Sequence, residues 1–214
     1  MRIIFCLLIS CQAVVCFAQD EEFPDSRNKK ESFLKMQEKD IRKDLASFAL
    51  AGMDERMNSN PLKPIPPVDY GSDFIKFQGD DITVIIKAGF FDPSKHKLTY
   101  FNKKNLVKID NKPFYGDYGN VPKISIASVT VLIGKDTIAI PPDAYADLYS
   151  PQFGYKDASG VARSHDALYI CSDKHMNAFY IYMLNKEVKG NYEVTWIIQD
   201  KKYLRRVVDT GLMK

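Results

Sequence analysis

The spacing of apolar and polar positions changes along the chain, and the change falls near residue 73. From there onward, short runs rich in Val, Ile, Thr, Tyr and Phe are separated by clusters of Gly, Pro, Asn and Asp. Such runs are typical of β-strands, and such clusters are typical of turns. We predict strands at Phe74–Phe77, Ile82–Ala88, Lys97–Phe101, Leu106–Ile109, Ile124–Ile133, Thr137–Ile140, Ala167–Cys171, Ala178–Leu184, Tyr192–Gln199 and Tyr203–Val208.

The segments between these runs indicate how the strands pair. No helical pattern lies between consecutive runs, so parallel pairing through helical crossovers is not expected. We therefore expect residues 73–210 to form a mainly β domain of antiparallel strands, either a β-sandwich or an open barrel. A nucleotide-binding α/β fold is not favoured by this pattern.

The last three strands predict a meander whose two faces differ. Alternate side chains of a strand point to opposite faces of its sheet. The face that we expect to pack against the core carries Tyr192, Val194, Trp196 and Ile198. The opposite face carries Glu193, Thr195, Ile197 and Gln199. Because this second set is more polar, we expect that face to be at least partly in contact with water.

Residues 19–58 form a charged segment with helical periodicity. Its apolar positions fall within a narrow arc of a helix and form a stripe of Leu34, Ile41, Leu45 and Phe48. We predict an amphipathic helix here, which Gly52 is expected to end. We favour packing of the stripe on the β domain of the same chain, and binding of a partner is the alternative.

A proline-rich stretch follows at residues 59–72. Its prolines at positions 61, 64, 66 and 67 remove amide donors and favour extended backbone. We expect this stretch to be a spacer between helix and domain rather than a polyproline ligand for an aromatic groove.

Residues 1–18 have the pattern of an export signal. Arg2 precedes an apolar run at residues 3–15, and small residues follow where a signal peptidase cuts. Because the run is shorter than the roughly 20 residues that span a bilayer, we expect cleavage near Ala18, a secreted or periplasmic protein and no remaining transmembrane segment. A lipobox-like pattern ending at Cys11 offers lipid anchoring as an alternative. The ending at residues 17–20 resembles signal peptides of exported Bacteroidota proteins, which implies a bacterial source.

Charge, cysteines and motifs narrow the function classes. A net charge of +3 indicates no strongly basic surface, so we expect no nucleic-acid partner. The short basic pair Arg205 and Arg206 faces opposite sides of a strand and does not change this. After signal cleavage Cys171 is the remaining cysteine of the sequence, so no internal disulfide is expected. Nucleotide-binding, zinc-protease and serine-hydrolase motifs do not occur, and we expect no cofactor.

The loop at residues 114–120 is rich in aromatic residues and glycine. Tyrosine offers a flat apolar face with a polar tip, and aspartate offers directional hydrogen bonds. We predict ligand binding by Tyr115, Asp117 and Tyr118, with Tyr145 and Tyr149 as companions. The alternative is a turn whose tyrosines fold back onto the core.

Two further clusters carry chemistry-bearing side chains. Asp143 and Asp147 would lie on one side of a short helical turn, where paired carboxylates can act as acid and base on a glycosidic bond, or Asp143 can cap the turn. His165, Cys171 and His175 could contribute to a zinc site. Neither cluster is a complete motif, so a structural role is favoured for both, and we predict no metal.

Taken together, these patterns predict an exported, non-catalytic binding module that recognises a protein or glycan partner through aromatic loops. The first alternative is a secreted, glycan-directed hydrolase that uses Asp143 and Asp147. The second alternative is a structural component of the cell envelope that assembles through its N-terminal helix.

Overall fold

The computed structural model describes residues 31–55, 61–171, 177–186 and 190–210. The protein is mainly β, with 47% of residues in strands and 12% in helices, and its antiparallel sheets do not close into a barrel. Every strand predicted from the sequence is present, with ends within two residues of those predicted. The predicted signal at residues 1–18 lies outside the described residues.

The larger sheet has five strands in the order β1-β2-β3-β6-β7. Its strands are β1 (Asp69–Tyr70), β2 (Phe74–Gly79), β3 (Ile82–Phe90), β6 (Ile124–Ile133) and β7 (Asp136–Ile138). β1 lies in the stretch predicted to be a spacer, so the sheet begins before residue 73. The turn between β6 and β7 contains Gly134 with a φ of 59°, a backbone conformation that glycine adopts without steric cost.

The second sheet has four strands in the order β10-β11-β12-β13. Its strands are β10 (Ala167–Ile170), β11 (Ala178–Asn185), β12 (Tyr192–Gln199) and β13 (Lys202–Asp209). The predicted C-terminal meander is therefore confirmed. Two small pairs complete the described strands: β4 (Leu98–Phe101) with β5 (Asn105–Ile109), and β8 (Tyr155–Lys156) with β9 (Ala162–Arg163).

The two larger sheets contribute to one hydrophobic cluster. From β2 and β3 it receives Ile75, Phe77, Val84 and Ile86. From β12 it receives Tyr192, Val194, Trp196 and Ile198. The side chains of β12 that the alternation assigns to the core are thus in the core, as predicted.

The opposite face of β12 is also buried except at Gln199, so the predicted contact with water is found only at that end of the strand. Glu193, Thr195 and Ile197 are 5%, 2% and 0% exposed. This face packs against Phe33, Met36, Ile41 and Leu45 of the N-terminal segment. The strand pattern does not reveal this cover, because the covering residues come from the far end of the chain.

The described part of the N-terminal segment packs on the β domain of the same chain. It contains α1 (Glu31–Leu34), α2 (Lys39–Leu45) and a 3-10 helix over Leu50–Glu55. Ile41 and Leu45 are buried as the predicted stripe requires, but Leu34 is 55% exposed and Phe33 is buried instead. The stripe fails at Leu34 because non-helical residues separate α1 from α2. No helix in the described residues has the length and apolar content needed to cross a bilayer.

The proline-rich stretch is attached to the second sheet. Ile65 and Leu168 exchange two backbone hydrogen bonds, of 2.8 and 3.0 Å. This pairing lies on the outer side of β10, which is an edge strand of its sheet. A partly paired edge is less open to association with other strands.

Candidate binding cleft

A cleft lies between the turn at residues 109–114 and the segment at residues 143–149. Its volume is about 360 Å³, near the lower end of the roughly 300–1,000 Å³ that is typical of ligand pockets. Its charged lining consists of Asp110, Lys112, Asp143, Asp147 and Arg206. Its less polar lining consists of Ile109, Pro113, Phe114, Ala146 and Tyr149. Apolar and charged groups therefore meet on one concave surface.

The wall at residues 141–149 is held by two donors from the four-stranded sheet. Pro142 begins a 3-10 helix over Pro142–Ala144, and proline suits a first helical position because it lacks an amide hydrogen. The carbonyl oxygen of Ala144 accepts a hydrogen bond of 2.8 Å from Trp196 Nε1 and one of 3.1 Å from Arg206 Nη1. These bonds fix the wall of the cleft to the sheet.

Asp147 and Arg206 form a two-pronged ion pair in the cleft. Arg206 Nη1 donates to Asp147 Oδ1 at 2.5 Å, and Nη2 donates to Oδ2 at 2.6 Å. Burial lowers the pKa of Arg206, but the bonds to Asp147 outweigh that effect and the pKa is raised. Both oxygens of Asp147 are thus held by a permanently charged group, in the geometry that guanidinium and carboxylate favour.

Asp143 lines the same cleft but is open to solvent. Its side chain is 91% exposed and lies 3.6 Å from Lys112 Nζ. The predicted capping role is not found, because Pro141 occupies the cap position and no side-chain capping bond forms there. The structure therefore brings Asp143 and Asp147 to one cleft, as the acid/base hypothesis requires. It also places Arg206 on Asp147, and that hypothesis did not include this partner.

Asp110 and His96 extend the polar lining on the other side. His96 Nδ1 lies 2.7 Å from Asp110 Oδ2, and the Lys97 amide donates to Asp110 Oδ1 at 2.8 Å. The hydrogen bond with the His96 ring, and to a smaller extent that from the Lys97 amide, holds the pKa of Asp110 below its ordinary value. Asp110 is thereby maintained as an anion at the cleft.

The predicted aromatic loop contributes Phe114 to the lining of the cleft, and residues 115–120 lie beside the cleft. The Tyr115 amide donates to the Asp147 carbonyl, and the Tyr149 amide donates to the Tyr115 carbonyl, both at 2.9 Å. Asp117 accepts a hydrogen bond from the hydroxyl of Ser150. The loop and the cleft wall are therefore joined along their backbones and through one side-chain bond.

Tyr118 and Tyr149 fold back onto the core, as in the alternative prediction for this loop. They are 7% and 4% exposed, and both rings pack near Phe114. Burial raises the pKa of Tyr149 to about 12. Tyr115 and Tyr145 are half-buried against the shared core. Among the residues predicted to bind ligand, Tyr149 lines the cleft directly.

The close packing of this loop depends on a glycine. Gly116 has a φ of 84°, and a Cβ there would come 2.1 Å from the carbonyl oxygen of Tyr149. No side chain fits at that distance, so the contact requires glycine.

The possible zinc site of His165, Cys171 and His175 is not assembled in the part of the chain that the structure describes. The His165 ring stacks on Tyr155 with centroids 4.2 Å apart, and burial together with Lys186 lowers its pKa. Cys171 packs near the N-terminal segment. His175 lies outside the described residues. Among the residues that the structure describes, no group of three His, Cys, Asp or Glu side chains is placed to hold a metal ion.

Asp166, beside His165, is 3% exposed and accepts a 2.9 Å hydrogen bond from the Leu184 amide. Burial raises its pKa to about 8. A raised pKa in the folded state stabilises the protein below the ordinary pKa of the group and loses that effect as the pH rises. Stability should therefore fall between about pH 4 and pH 8 because of Asp166.

Asp166→Asn tests this expectation, because an amide does not ionise. We expect its free energy of unfolding, measured with urea, to decline less steeply with pH than that of the native protein, because only the contribution of Asp166 is removed and that of Glu193, whose pKa is also raised, remains. The exposed Asp136 supplies the control, and Asp136→Asn should keep the native pH dependence. Equal pH slopes in the native protein and Asp166→Asn would contradict the assignment.

Sequence reasoning did not place Arg206, Lys112 and Asp110 in the site. The alternation along β13 does predict that Arg205 and Arg206 face opposite ways. Arg205 pairs with Glu38 of the N-terminal segment at 3.3 Å, whereas Arg206 pairs with Asp147. The sequence carries no signal for the partner of either arginine.

No family model, curated protein or solved structure matches this chain. What can be inferred about function therefore comes from the side chains of the cleft and from the way they are held.

Proposed function

We propose that this protein is an exported, non-catalytic binding module that recognises a protein or glycan partner at the cleft. The observation that carries the proposal is the attachment of the cleft wall. Trp196 and Arg206 both hold the Ala144 carbonyl, and Arg206 also holds Asp147. A binding site whose polar groups are already fixed loses less conformational freedom when a ligand arrives.

The finer architecture belongs to the same proposal. The two larger sheets act as the layers of an open β-sandwich, and the N-terminal segment forms a cover on the outer face of the four-stranded sheet. Export through residues 1–18 would end in cleavage near Ala18 or in lipid attachment at Cys11. In this proposal the aromatic loop at residues 114–120 supports the cleft wall, because hydrogen bonds join Tyr115 and Asp117 to it.

A non-catalytic role is supported by the state of the two carboxylates. A general acid and a nucleophile each need an oxygen that can reach the substrate. Both oxygens of Asp147 accept hydrogen bonds from Arg206, and Asp143 is a solvent-exposed carboxylate beside Lys112. Asp147 therefore has the features of a fixed hydrogen-bonding group, and Asp143 alone does not supply both the acid and the base that the hydrolase alternative needs.

A matched pair of double variants tests the location of the site. Lys112→Gln with Asp143→Asn removes an exposed ion pair of 3.6 Å at the cleft. Lys201→Gln with Asp136→Asn removes an exposed ion pair of 3.4 Å away from it. Exposed pairs contribute about 0–1 kcal/mol to stability, so both variants should fold.

The measurement is saturable capture of a partner by immobilised residues 19–214 from envelope and secreted fractions. We expect the cleft variant to lose capture by about fivefold or more, and the control variant to retain it. Equal capture by both variants would place the binding surface elsewhere. Time-dependent cleavage of glycans by the native chain that Asp143→Asn abolishes would instead establish the hydrolase alternative.

A further inference from the structure

Each of the charged side chains that line the cleft has a partner side chain within 4 Å. Asp147 pairs with Arg206 at 2.5 Å. Asp143 pairs with Lys112 at 3.6 Å, and Asp110 pairs with the His96 ring at 2.7 Å. A charged ligand would have to compete with one of these pairs for its partner. A neutral ligand can add hydrogen bonds to the pairs without separating them.

The Asp147–Arg206 pair keeps unused hydrogen-bonding capacity. A guanidinium has five N–H donors, and a carboxylate offers about four lone-pair sites. Arg206 uses Nη1 for Asp147 and Ala144, and Nη2 for Asp147. These bonds use three of the five N–H groups of the guanidinium. The pair therefore offers donors and acceptors next to each other on side chains that are 20% and 24% exposed.

Neighbouring hydroxyl groups are the natural complement of such a surface. Each hydroxyl both donates and accepts, so one hydroxyl of a vicinal diol can donate to the carboxylate while the other accepts from the guanidinium. Hydrogen bonds to charged groups contribute more than bonds between neutral groups. Recognition of a diol by this pair would consequently be strong without any charge on the ligand.

The rest of the lining suits the other surface of a sugar. Pro113 and Ala146 contribute accessible apolar atoms to the cleft, and such atoms can pack against the C–H groups of a pyranose ring. A volume of about 360 Å³ limits the bound portion to a small ligand or to one end of a chain.

We infer that the ligand of the cleft is a neutral carbohydrate whose vicinal hydroxyls are bound by Asp147 and Arg206. This inference rests on the proposed binding function and assigns the ligand class at the same site. Acidic sugars and anionic peptides are disfavoured, because Lys112 and Arg206, the cations that line the cleft, are already paired with carboxylates.

A comparison of two neighbouring arginines tests the inference. Arg206→Lys keeps the positive charge next to Asp147 but loses the planar donors, whereas Arg205→Lys makes the same change on the opposite face of β13, where Arg205 contacts Glu38. Binding of residues 19–214 to immobilised neutral and acidic oligosaccharides is measured, followed by calorimetric titration. Urea unfolding checks that both variants are folded.

We expect saturable binding to neutral oligosaccharides that weakens about tenfold or more in Arg206→Lys and less than about twofold in Arg205→Lys. The affinity should change little between about 0.05 and 0.5 M NaCl, because no ion pair forms with the ligand. Preference for acidic sugars with a steep loss of affinity in salt would overturn the inference.

The remaining outcomes separate this inference from the proposed function. A protein partner that depends on Lys112 and Asp143, with no carbohydrate bound, would overturn the carbohydrate assignment and leave the binding function standing. If every cleft variant still bound carbohydrate and protein like the native chain, both the carbohydrate assignment and the proposed binding function of the cleft would be overturned. A second substitution in the same pair, Asp147→Asn, gives the same readout in case Arg206→Lys does not fold.

Discussion

Replacement of Trp196 by alanine is expected to lower the free energy of unfolding by about 3–5 kcal/mol, which is the usual cost of removing a buried aromatic side chain. Trp196 is 0% exposed and lies in the cluster shared by the two larger sheets. Its indole nitrogen also holds the Ala144 carbonyl at 2.8 Å. The substitution therefore opens a cavity in the core and removes one of the two hydrogen bonds to the Ala144 carbonyl of the cleft wall. Urea unfolding followed by circular dichroism measures the loss.

Trp196→Phe separates the two effects, because it keeps most of the ring and removes the donor. Arg206 still donates to the Ala144 carbonyl at 3.1 Å, so that oxygen retains a partner, and we expect a smaller loss of about 1–2 kcal/mol. Phe90, which is 81% exposed, supplies an aromatic control, and Phe90→Ala should change stability by less than about 0.5 kcal/mol. A similar loss for Trp196→Ala and Phe90→Ala would contradict the placement of Trp196 in the core.

The strands were predictable because their signals are local. Turn residues and β-branched runs are read within a few positions, and alternation along β12 correctly assigns Trp196 to the core. The same alternation cannot show what covers the outer face. Ile197 was expected to be near water, yet residues from the N-terminal segment bury it. The sequence of a strand does not show that a distant part of the chain will bury its outer face.

Helical periodicity had a similar limit. Ile41 and Leu45 fall on the predicted stripe because they belong to one helix, α2. Leu34 belongs to α1, which ends before residue 35, and it is 55% exposed. The phase of a stripe is lost when the helix is interrupted, because each piece can rotate independently of the other.

The site was predicted in part, since side-chain types are visible in a sequence and pairings are not. Asp143, Asp147 and Tyr149 all line the cleft, but the partner of Asp147 comes from β13, at the other end of the domain. Tyr118 has the residue type of a binding loop and is nevertheless 7% exposed. A tyrosine that contacts ligand and a tyrosine that packs on the core have the same sequence signal.

A buried carboxylate, that of Glu193, helps to attach the N-terminal segment to the outer face of the four-stranded sheet, in addition to the apolar contacts, the Arg205–Glu38 pair and a 2.6 Å hydrogen bond from the Tyr180 hydroxyl to Asp44. Glu193 accepts hydrogen bonds from the amides of Leu50 and Ala51, at 2.9 and 2.6 Å, and from the hydroxyl of Tyr182 at 2.9 Å. Burial raises the pKa of Glu193, and these bonds oppose that rise. The carboxylate thus satisfies backbone donors at the start of the 3-10 helix over Leu50–Glu55, donors that a helix start leaves free.

Glu193→Ala is therefore expected to weaken attachment of the segment by about 3 kcal/mol or more, because three buried donors lose their acceptor and each unsatisfied donor costs about 1–3 kcal/mol. Hydrogen exchange of peptides that cover residues 33–51 should accelerate about 100-fold, since about 1.4 kcal/mol corresponds to a factor of ten. Peptides from β2 and β3 should keep their protection, because their contacts are unchanged. Tyr182→Phe removes one donor and keeps the carboxylate, so its effect should be about 1 kcal/mol. Unchanged exchange at residues 33–51 in Glu193→Ala would show that apolar packing suffices to hold the segment in place.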